Sequence, residues 1–275
     1  MISYPNAKIN LGLNVRSRLQ DGYHNITSFF LPIPLCDILE FNLNPSCLEK
    51  TQITYSGIIF PDISHDLVIQ AYNLLDNDFN LPAIKIHLHK CIPSSAGLGG
   101  GSSNAVFMLE MLNNFFNLEL NKIELLRYAM ILGSDCPFFL YNSFSQVSGI
   151  GQYVKEIDFE FKDYYIILVK PSFSASTALV FSKLELSKNK IHELHLSNDS
   201  NMWKKQLFND LETVTFSMCP ELRIIKKKLY SLGATYASMS GSGSSIYGLF
   251  DKEPIVNNLF HEHWVWQGKL GKFFK

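Results

Sequence analysis

The stretch Pro93–Ala105, which reads PSSAGLGGGSSNA, decides the fold. Four glycines fall within positions 97–101, and the largely apolar run VFMLEMLNNFF (106–116) follows directly. That run predicts a buried helix, whose N-terminus would present unpaired N–H groups and the positive end of the helix dipole. Glycines let the preceding backbone approach an anion closely. We therefore predict a phosphate-binding loop, with Ser102 and Ser103 as candidate helix caps; the alternative is a flexible connector before a core helix.

The loop differs from the two commonest phosphate-binding motifs. A P-loop has Lys after its last glycine, whereas Ser102 follows Gly101 here. The dinucleotide fingerprint G-x-G-x-x-G fails because Ser102 stands at the third glycine position after Gly97 and Gly99. A nucleotide or phosphate loop of another type is expected.

Composition narrows the class of protein. The chain has 275 residues, 47% of them apolar, and a formal net charge of −1, so nothing in its charge favours nucleic acid or an anionic membrane as a partner. No secretory signal or membrane-spanning run is visible, which predicts a cytoplasmic protein. The five cysteines are odd in number and form no CxxC pair, so neither a disulfide framework nor a zinc site is indicated.

Strands and helices alternate irregularly along the chain, which favours an α+β fold over a doubly wound sheet. In IKIHLHK, for example, apolar residues alternate with Lys85, His87 and His89. Asp66 is a candidate cap for the helix that follows it. Predicted strands cover 8–15, 84–90, 164–170 and 244–250, and predicted helices cover 67–75, 122–133, 176–185 and 220–232.

The glycine-rich stretch resembles the ATP-binding motif of the GHMP kinases, named for galactose, homoserine, mevalonate and phosphomevalonate. Further stretches match that family in order and point to the branch acting on a cytidine diphosphate-linked methylerythritol in the non-mevalonate isoprenoid route. These stretches are AKINLGLNV (7–15), DGYHNITSFF (21–30), GSDCPFF (133–139), NDLE (209–212) and SMSGSGSS (238–245).

The resemblance implies a two-domain α+β kinase with a cleft between domains 1–155 and 156–275. It implies transfer of phosphate from ATP to the 2-hydroxyl of the methylerythritol, with Mg²⁺ bridging the ATP phosphates, and no nucleic acid or membrane partner. SMSGSGSS would line the transfer site. The ATP loop implied by the motif comprises Pro93, Ser94, Ser95, Ala96, Gly97, Leu98, Gly99, Gly100, Gly101, Ser102 and Ser103.

The match assigns catalysis to Lys8 and Asp135. Asp135 would accept the alcohol proton, since a carboxylate is ionised at neutral pH. Lys8 would hold the aspartate and the substrate hydroxyl and favour an alkoxide-like transition state. The residues alone favour a turn or cap for Asp135 and the solvent face of a strand for Lys8, and only the family match favours catalysis.

The resemblance assigns binding of the alcohol substrate to four residues. Tyr23 would stack on cytosine, His24 would hydrogen-bond its edge, Phe181 would cover the other face, and Asn10 would bind the methylerythritol hydroxyls. The alternative for Tyr23 and His24 is a hairpin with ordinary exposed aromatic residues, and the alternative for Phe181 is a place in the core.

Two other functions stay open at this stage. One is a GHMP kinase for a smaller alcohol such as homoserine, against which DGYH argues. The other is a nucleotide-binding regulator without turnover, against which Lys8 and Asp135 argue. Asp66 stands where relatives often carry Asn beside the adenine pocket, and an ionised carboxylate only accepts hydrogen bonds.

Overall fold

The computed structural model describes residues 1–45, 49–58, 66–174, 176–186, 194–256 and 258–271. The strands are β1 (Ile2–Ser3), β2 (Asn6–Arg18), β3 (His24–Cys36), β4 (Ile38–Leu43), β5 (Thr51–Gly57), β6 (Ile84–Lys90), β7 (Ser145–Gly149), β8 (Tyr153–Glu156), β9 (Tyr165–Lys170), β10 (Tyr236–Met239), β11 (Ile246–Phe250) and β12 (Trp264–Lys269). The helices are α1 (Leu67–Phe79), α2 (Gly100–Phe115), α3 (Lys122–Leu132), α4 (Cys136–Tyr141), α5 (Thr177–Ser182), α6 (Trp203–Gln206), α7 (Glu212–Met218) and α8 (Glu221–Ser231). The predicted α+β class is confirmed, and each predicted strand and helix overlaps an observed one.

The chain forms two compact units. The first contains residues 1–7, 35–94 and 99–142, and the second contains residues 8–34, 95–98 and 143–275. The ATP loop thus contributes to both units. The predicted boundary at 155/156 stays a prediction.

The first unit is built on the sheet β1-β4-β6-β5, in which β5 and β6 are parallel and the other pairs antiparallel. The alternation in β6 is confirmed, since Ile84, Ile86 and Leu88 are buried. His87 and His89 lie on the more exposed face and hydrogen-bond hydroxyl groups of β5. These two histidines therefore have structural partners.

Helix α1 begins as predicted. The Asp66 carboxylate accepts the Val68 N–H at 2.6 Å and so caps the helix. Its other oxygen accepts the Tyr55 hydroxyl at 2.7 Å. Both Asp66 oxygens are therefore used within this unit, and an adenine contact by this side chain stays a prediction.

The second unit contains the sheets β2-β3-β7-β8 and β10-β11-β9-β12. Strands β2 and β3 are joined by the predicted Asp21-Gly22 turn, where the Asp21 carboxylate accepts the Tyr23 N–H at 3.0 Å. A core of apolar side chains, many of them from β2, β9, β11, α7 and α8, fills this unit.

Strand β2 changes its facing at Gly12. The Asn10 amide reaches the Ser28 hydroxyl at 2.9 Å, whereas Leu13 and Ile26 share the core. Ser28 and Ile26 lie on one face of β3, so the alternation of β2 must shift by one residue between Asn10 and Leu13. Gly12 makes this shift with a φ of 69°. The shift puts polar Asn10 and apolar Leu13 on the same side of the strand.

Candidate active site

The predicted ATP loop turns through three left-handed residues. Ser95, Gly97 and Gly99 have φ values of 49°, 74° and 70°. At Gly97 the approach of a second chain segment also excludes a side chain, because a Cβ there would lie 1.9 Å from the Ser240 carbonyl oxygen. Glycine at position 97 is therefore required by conformation and by space.

Helix α2 starts earlier than the sequence predicts. Its first residue is Gly100 and its N-cap is Gly99, and among the described residues no side chain hydrogen-bonds this terminus as a cap. The prediction that Ser102 and Ser103 cap the helix is wrong, because both lie inside its first turn. Left-handed Gly99 makes the turn without a side-chain cap, which leaves the terminal N–H groups for a ligand.

The two serines differ in their surroundings. The Ser102 hydroxyl lies near the Cys136 thiol, whose burial raises its pKa to about 12. The Ser103 hydroxyl and the Asn104 side-chain oxygen are buried and have no hydrogen-bond partner in the part of the chain that the structure describes. Unpartnered buried oxygens next to a helix N-terminus are consistent with a ligand that brings cationic or donor groups.

Lys8 is buried, whereas a lysine in a strand usually lies on the solvent face. Only 2% of the residue is exposed. Its ammonium donates to the Asn10 side-chain oxygen at 2.8 Å and lies 4.2 Å from the centre of the Phe30 ring. Its backbone N–H donates to the Leu98 carbonyl at 2.9 Å, which joins this strand to the ATP loop.

Asn10 holds several partners at once. Its side-chain oxygen accepts from Lys8 and lies 3.3 Å from the Ser240 hydroxyl, while its amide nitrogen donates to Ser28. Its backbone carbonyl accepts the Tyr247 hydroxyl at 2.6 Å. This dense use of the side chain favours a role in positioning Lys8. The predicted contact of Asn10 with the methylerythritol hydroxyls stays a prediction.

The serine-glycine loop between β10 and β11 contacts the ATP loop within the second unit. The Ser240 hydroxyl donates to the Gly97 carbonyl at 2.8 Å, and the Ser245 N–H donates to the Ala96 carbonyl at 3.2 Å. The two glycine-rich segments are thus hydrogen-bonded to each other through backbone and hydroxyl groups.

The motif NDLE explains how this second loop is held, a role that the sequence alone did not suggest. The Asn209 amide donates to the Met239 and Gly241 carbonyls at 2.9 and 2.7 Å. The Glu212 carboxylate accepts the Met239 N–H at 2.9 Å and pairs with Lys226. The motif therefore fixes both the strand end and the start of the loop.

Asp135 lies in the first unit at the N-cap position of α4, between Gly133 at the end of α3 and Pro137. In the described structure its side chain makes no capping hydrogen bond. The carboxylate is therefore not used to cap the helix, which removes one structural explanation for an aspartate at this position.

The residues predicted to bind cytosine lie in the second unit. The His24 ring contacts the Phe181 ring, with centroids 5.0 Å apart and planes inclined by 31°. Burial lowers the pKa of His24, and the nearby Arg18 lowers it further. Tyr23 is 60% exposed at the hairpin turn. A neutral imidazole with an aromatic neighbour can both donate to and accept from a base edge.

A buried ion pair at the entrance of the ATP loop was missed by the sequence reasoning. Asp37 and Lys90 pair side by side and are almost completely buried. The other Asp37 oxygen accepts the N–H groups of Cys91 and Ile92 at 2.7 and 2.8 Å. The sequence carries the signal, because Lys90 continues the apolar face of β6.

Two protein-family models match separate stretches of the chain. The N-terminal domain of the GHMP kinases matches residues 66–143 and the C-terminal domain matches residues 191–264. No helix in the described ranges is long and apolar enough to cross a membrane.

Two curated relatives and one solved structure are similar over nearly their whole lengths. The 4-diphosphocytidyl-2-C-methyl-D-erythritol kinase of Bacteroides fragilis (strain YCH46) is 44% identical, with 95% of this chain and 96% of the relative covered. The enzyme of the same name from Azobacteroides pseudotrichonymphae genomovar. CFP2 is 48% identical, with 96% and 99% covered. A crystal structure of 4-(cytidine 5'-diphospho)-2C-methyl-D-erythritol kinase is 30% identical, with 98% and 99% covered and a TM-score of 0.82. The chain therefore belongs to the GHMP kinase family, in the branch of the 4-diphosphocytidyl-2-C-methyl-D-erythritol kinases.

Proposed function

We propose that the chain transfers the γ-phosphoryl group of ATP to the 2-hydroxyl of 4-diphosphocytidyl-2-C-methyl-D-erythritol, a step of the non-mevalonate route to isoprenoid precursors. Relatives that are 44% and 48% identical carry the name of this kinase. The structural observation that carries the proposal is the hydrogen bond from the Lys8 N–H to the Leu98 carbonyl at 2.9 Å. It holds the strand of a buried cation against a phosphate-type loop, and phosphoryl transfer depends mainly on positioning and on stabilisation of charge.

The proposed chemistry uses Asp135 and Lys8. The 2-hydroxyl oxygen attacks the γ-phosphorus, the bond from that phosphorus to the β–γ bridging oxygen breaks, and ADP leaves. The Asp135 carboxylate takes the proton of the hydroxyl. The Lys8 ammonium stabilises negative charge that develops on the attacking oxygen.

The ATP phosphates are assigned to the loop 93–103 and the N-terminus of α2. Uncapped N–H groups and a helix dipole favour anions at this place. Mg²⁺ fits the same place, because the Ser103 hydroxyl is a buried oxygen donor without a partner among the described residues. When bound, Mg²⁺ would neutralise charge on the phosphates.

The cytidyl group is assigned to Tyr23, His24 and Phe181. His24 has a lowered pKa and so offers a neutral imidazole to the cytosine edge at pH 7. The exposed Tyr23 ring provides an apolar face for stacking, which is worth about 1–3 kcal/mol per base. Because Phe181 contacts His24 directly, it also holds the imidazole in place.

The proposal is tested with the purified full chain, ATP and a panel of alcohols. The panel contains the cytidyl-linked substrate, methylerythritol phosphate without the cytidyl group, homoserine and mevalonate. We expect ADP release with the first alone at a substantial rate, and phosphorus NMR should place the new phosphate on the 2-hydroxyl. Equal turnover of the compound without the cytidyl group would contradict the substrate assignment, and absence of ADP release with every alcohol would contradict the kinase assignment.

A further inference from the structure

We propose that Tyr247 is a positioning residue for the catalytic ammonium: its hydroxyl fixes the backbone of Asn10, whose side chain holds Lys8. The inference rests on the proposed function for its kinetic consequence, and its structural part can be tested separately. All three residues lie in the second compact unit.

The Tyr247 hydroxyl is a permanent donor. The side chain lies in β11, an inner strand of its sheet, and is completely buried. Burial raises the pKa of Tyr247 well above the ordinary value of 10, so the hydroxyl keeps its proton. It donates to the Asn10 carbonyl at 2.6 Å, near the short end of the usual range for O–H···O bonds.

Asn10 passes this constraint to Lys8. The Asn10 side-chain oxygen accepts the Lys8 ammonium at 2.8 Å, and its amide nitrogen is held by Ser28. The Asn10 N–H donates to the Ser240 hydroxyl at 3.3 Å. These contacts do not involve the carbonyl oxygen of Asn10. In the described structure, that oxygen accepts the hydroxyl of Tyr247.

The position of Asn10 matters because β2 shifts its alternation at Gly12, two residues further on. Asn10 lies before this shift, and its side-chain oxygen holds the Lys8 ammonium on that part of the strand. Small displacements of a catalytic group are costly in phosphoryl transfer, where catalysis depends mainly on positioning. We therefore expect the loss of this single hydroxyl to lower kcat and to leave ATP binding nearly unchanged.

Tyr236 provides a matched control. It lies on the neighbouring strand β10, is 1% exposed, and its ring centroid is 6.0 Å from that of Tyr247. Its hydroxyl donates to the Leu207 carbonyl at 3.1 Å instead of to Asn10. Tyr236→Phe therefore removes the same atom from the same core without releasing Asn10.

The experiment compares Tyr247→Phe and Tyr236→Phe with the wild type. Each variant keeps its ring, and thermal melting measures the loss of stability in both. With saturating substrates we expect Tyr247→Phe to lower kcat about tenfold, with KM for ATP changed less than about twofold, whereas Tyr236→Phe keeps the wild-type kcat. Wild-type kcat in Tyr247→Phe, or equal losses in the two variants, would overturn the proposal.

A second measurement needs no turnover. In protein labelled with ¹³C-lysine, the Lys8 side-chain methylene signal, assigned with Lys8→Arg, should move in Tyr247→Phe and stay in place in Tyr236→Phe. An unmoved signal in Tyr247→Phe would contradict the positioning role even if the wild type phosphorylates none of the alcohols tested. Inactivity of the wild type would contradict the proposed function alone.

Discussion

The segments 93–101 and 240–244 are both rich in glycine, yet they are held in different ways. The first is fixed at its entrance by the ion pair of Asp37 with Lys90, whose side chains are 0% and 5% exposed. The second is fixed by Asn209 and by Glu212, which pairs with Lys226. The side chains of Glu212 and Lys226 are 16% and 24% exposed. Glycine supplies the required conformations, and buried polar side chains outside each segment restrict them. The difference is that one anchor is a buried charge pair and the other is largely a set of hydrogen bonds.

The largest expected effect is the loss of kcat when the proposed base, Asp135, is replaced and both glycine segments are left unchanged. Asp135→Asn keeps the size of the side chain and cannot accept a proton, so we expect kcat to fall by about 10²-fold or more. ATP affinity, measured by titration, should stay within about twofold of the wild type if the glycine segments alone hold the phosphates. A near-normal kcat would remove Asp135 from the mechanism, and a large loss of ATP affinity would show that the segments are not sufficient.

The two anchors should differ in their cost to stability. Asp37→Asn leaves the Lys90 charge buried beside a neutral amide, so we expect a loss of about 3–5 kcal/mol in the free energy of unfolding. Glu212→Gln keeps one acceptor oxygen for the Met239 N–H in a more exposed place, and we expect a loss of about 1–2 kcal/mol in the free energy of unfolding. Urea unfolding of both variants measures the difference. Equal losses would mean that burial of the first pair does not distinguish the anchors.

Within the first segment, two glycines should respond in opposite directions. Gly97→Ala forces a Cβ against the Ser240 carbonyl in a left-handed conformation, and we expect it to destabilise the fold by about 1–3 kcal/mol. Gly101→Ala places a Cβ in the first turn of α2, where the nearest atom is Leu67 Cδ1 at 3.8 Å. It should stabilise the helix by up to about 1 kcal/mol.

Unfolding measurements on the two variants check the signs, and ATP titration of Gly101→Ala checks whether the helix terminus is the phosphate site. A destabilised Gly101→Ala would contradict the packing argument. At Gly100, a branched side chain would meet Ile92 Cγ2, which lies 2.9 Å from the place that a Cβ would occupy. The obstacle there is a side chain of the core, and no positive φ is required at that position.

The sequence predicts the elements of this fold well because their patterns are local. The alternation in β6, the cap at Asp66 and the end of α3 at Gly133 are all confirmed. The start of α2 is predicted wrongly because serines suggest a cap, whereas left-handed Gly99 makes the turn by itself. Local patterns cannot show that a glycine replaces a side-chain cap.

The anchors are harder to predict because their partners are distant in sequence. Asp37 and Lys90 are 53 residues apart, and the Tyr247 hydroxyl meets an atom 237 residues away. A charged residue on an apolar face, such as Lys90 in β6, signals that a buried partner exists. It does not identify that partner, which depends on how the strands are paired.

The smallest expected effect concerns His24, which lies outside both glycine segments. Burial and the Arg18 charge lower its pKa below the reference value of about 6.5. Because the unfolded chain binds this proton more readily, the contribution of His24 to stability is present above about pH 6.5 and is lost as the pH falls toward the folded pKa. We expect the urea midpoint to drop between pH 7.5 and 5.5 by more in the wild type than in His24→Gln. If His24→Gln and the wild type lose equal stability over this interval, His24 is not held neutral by the fold. Its proposed neutral contact with the cytosine edge at pH 7 would then lose its physical basis, while both glycine segments would keep their assigned roles.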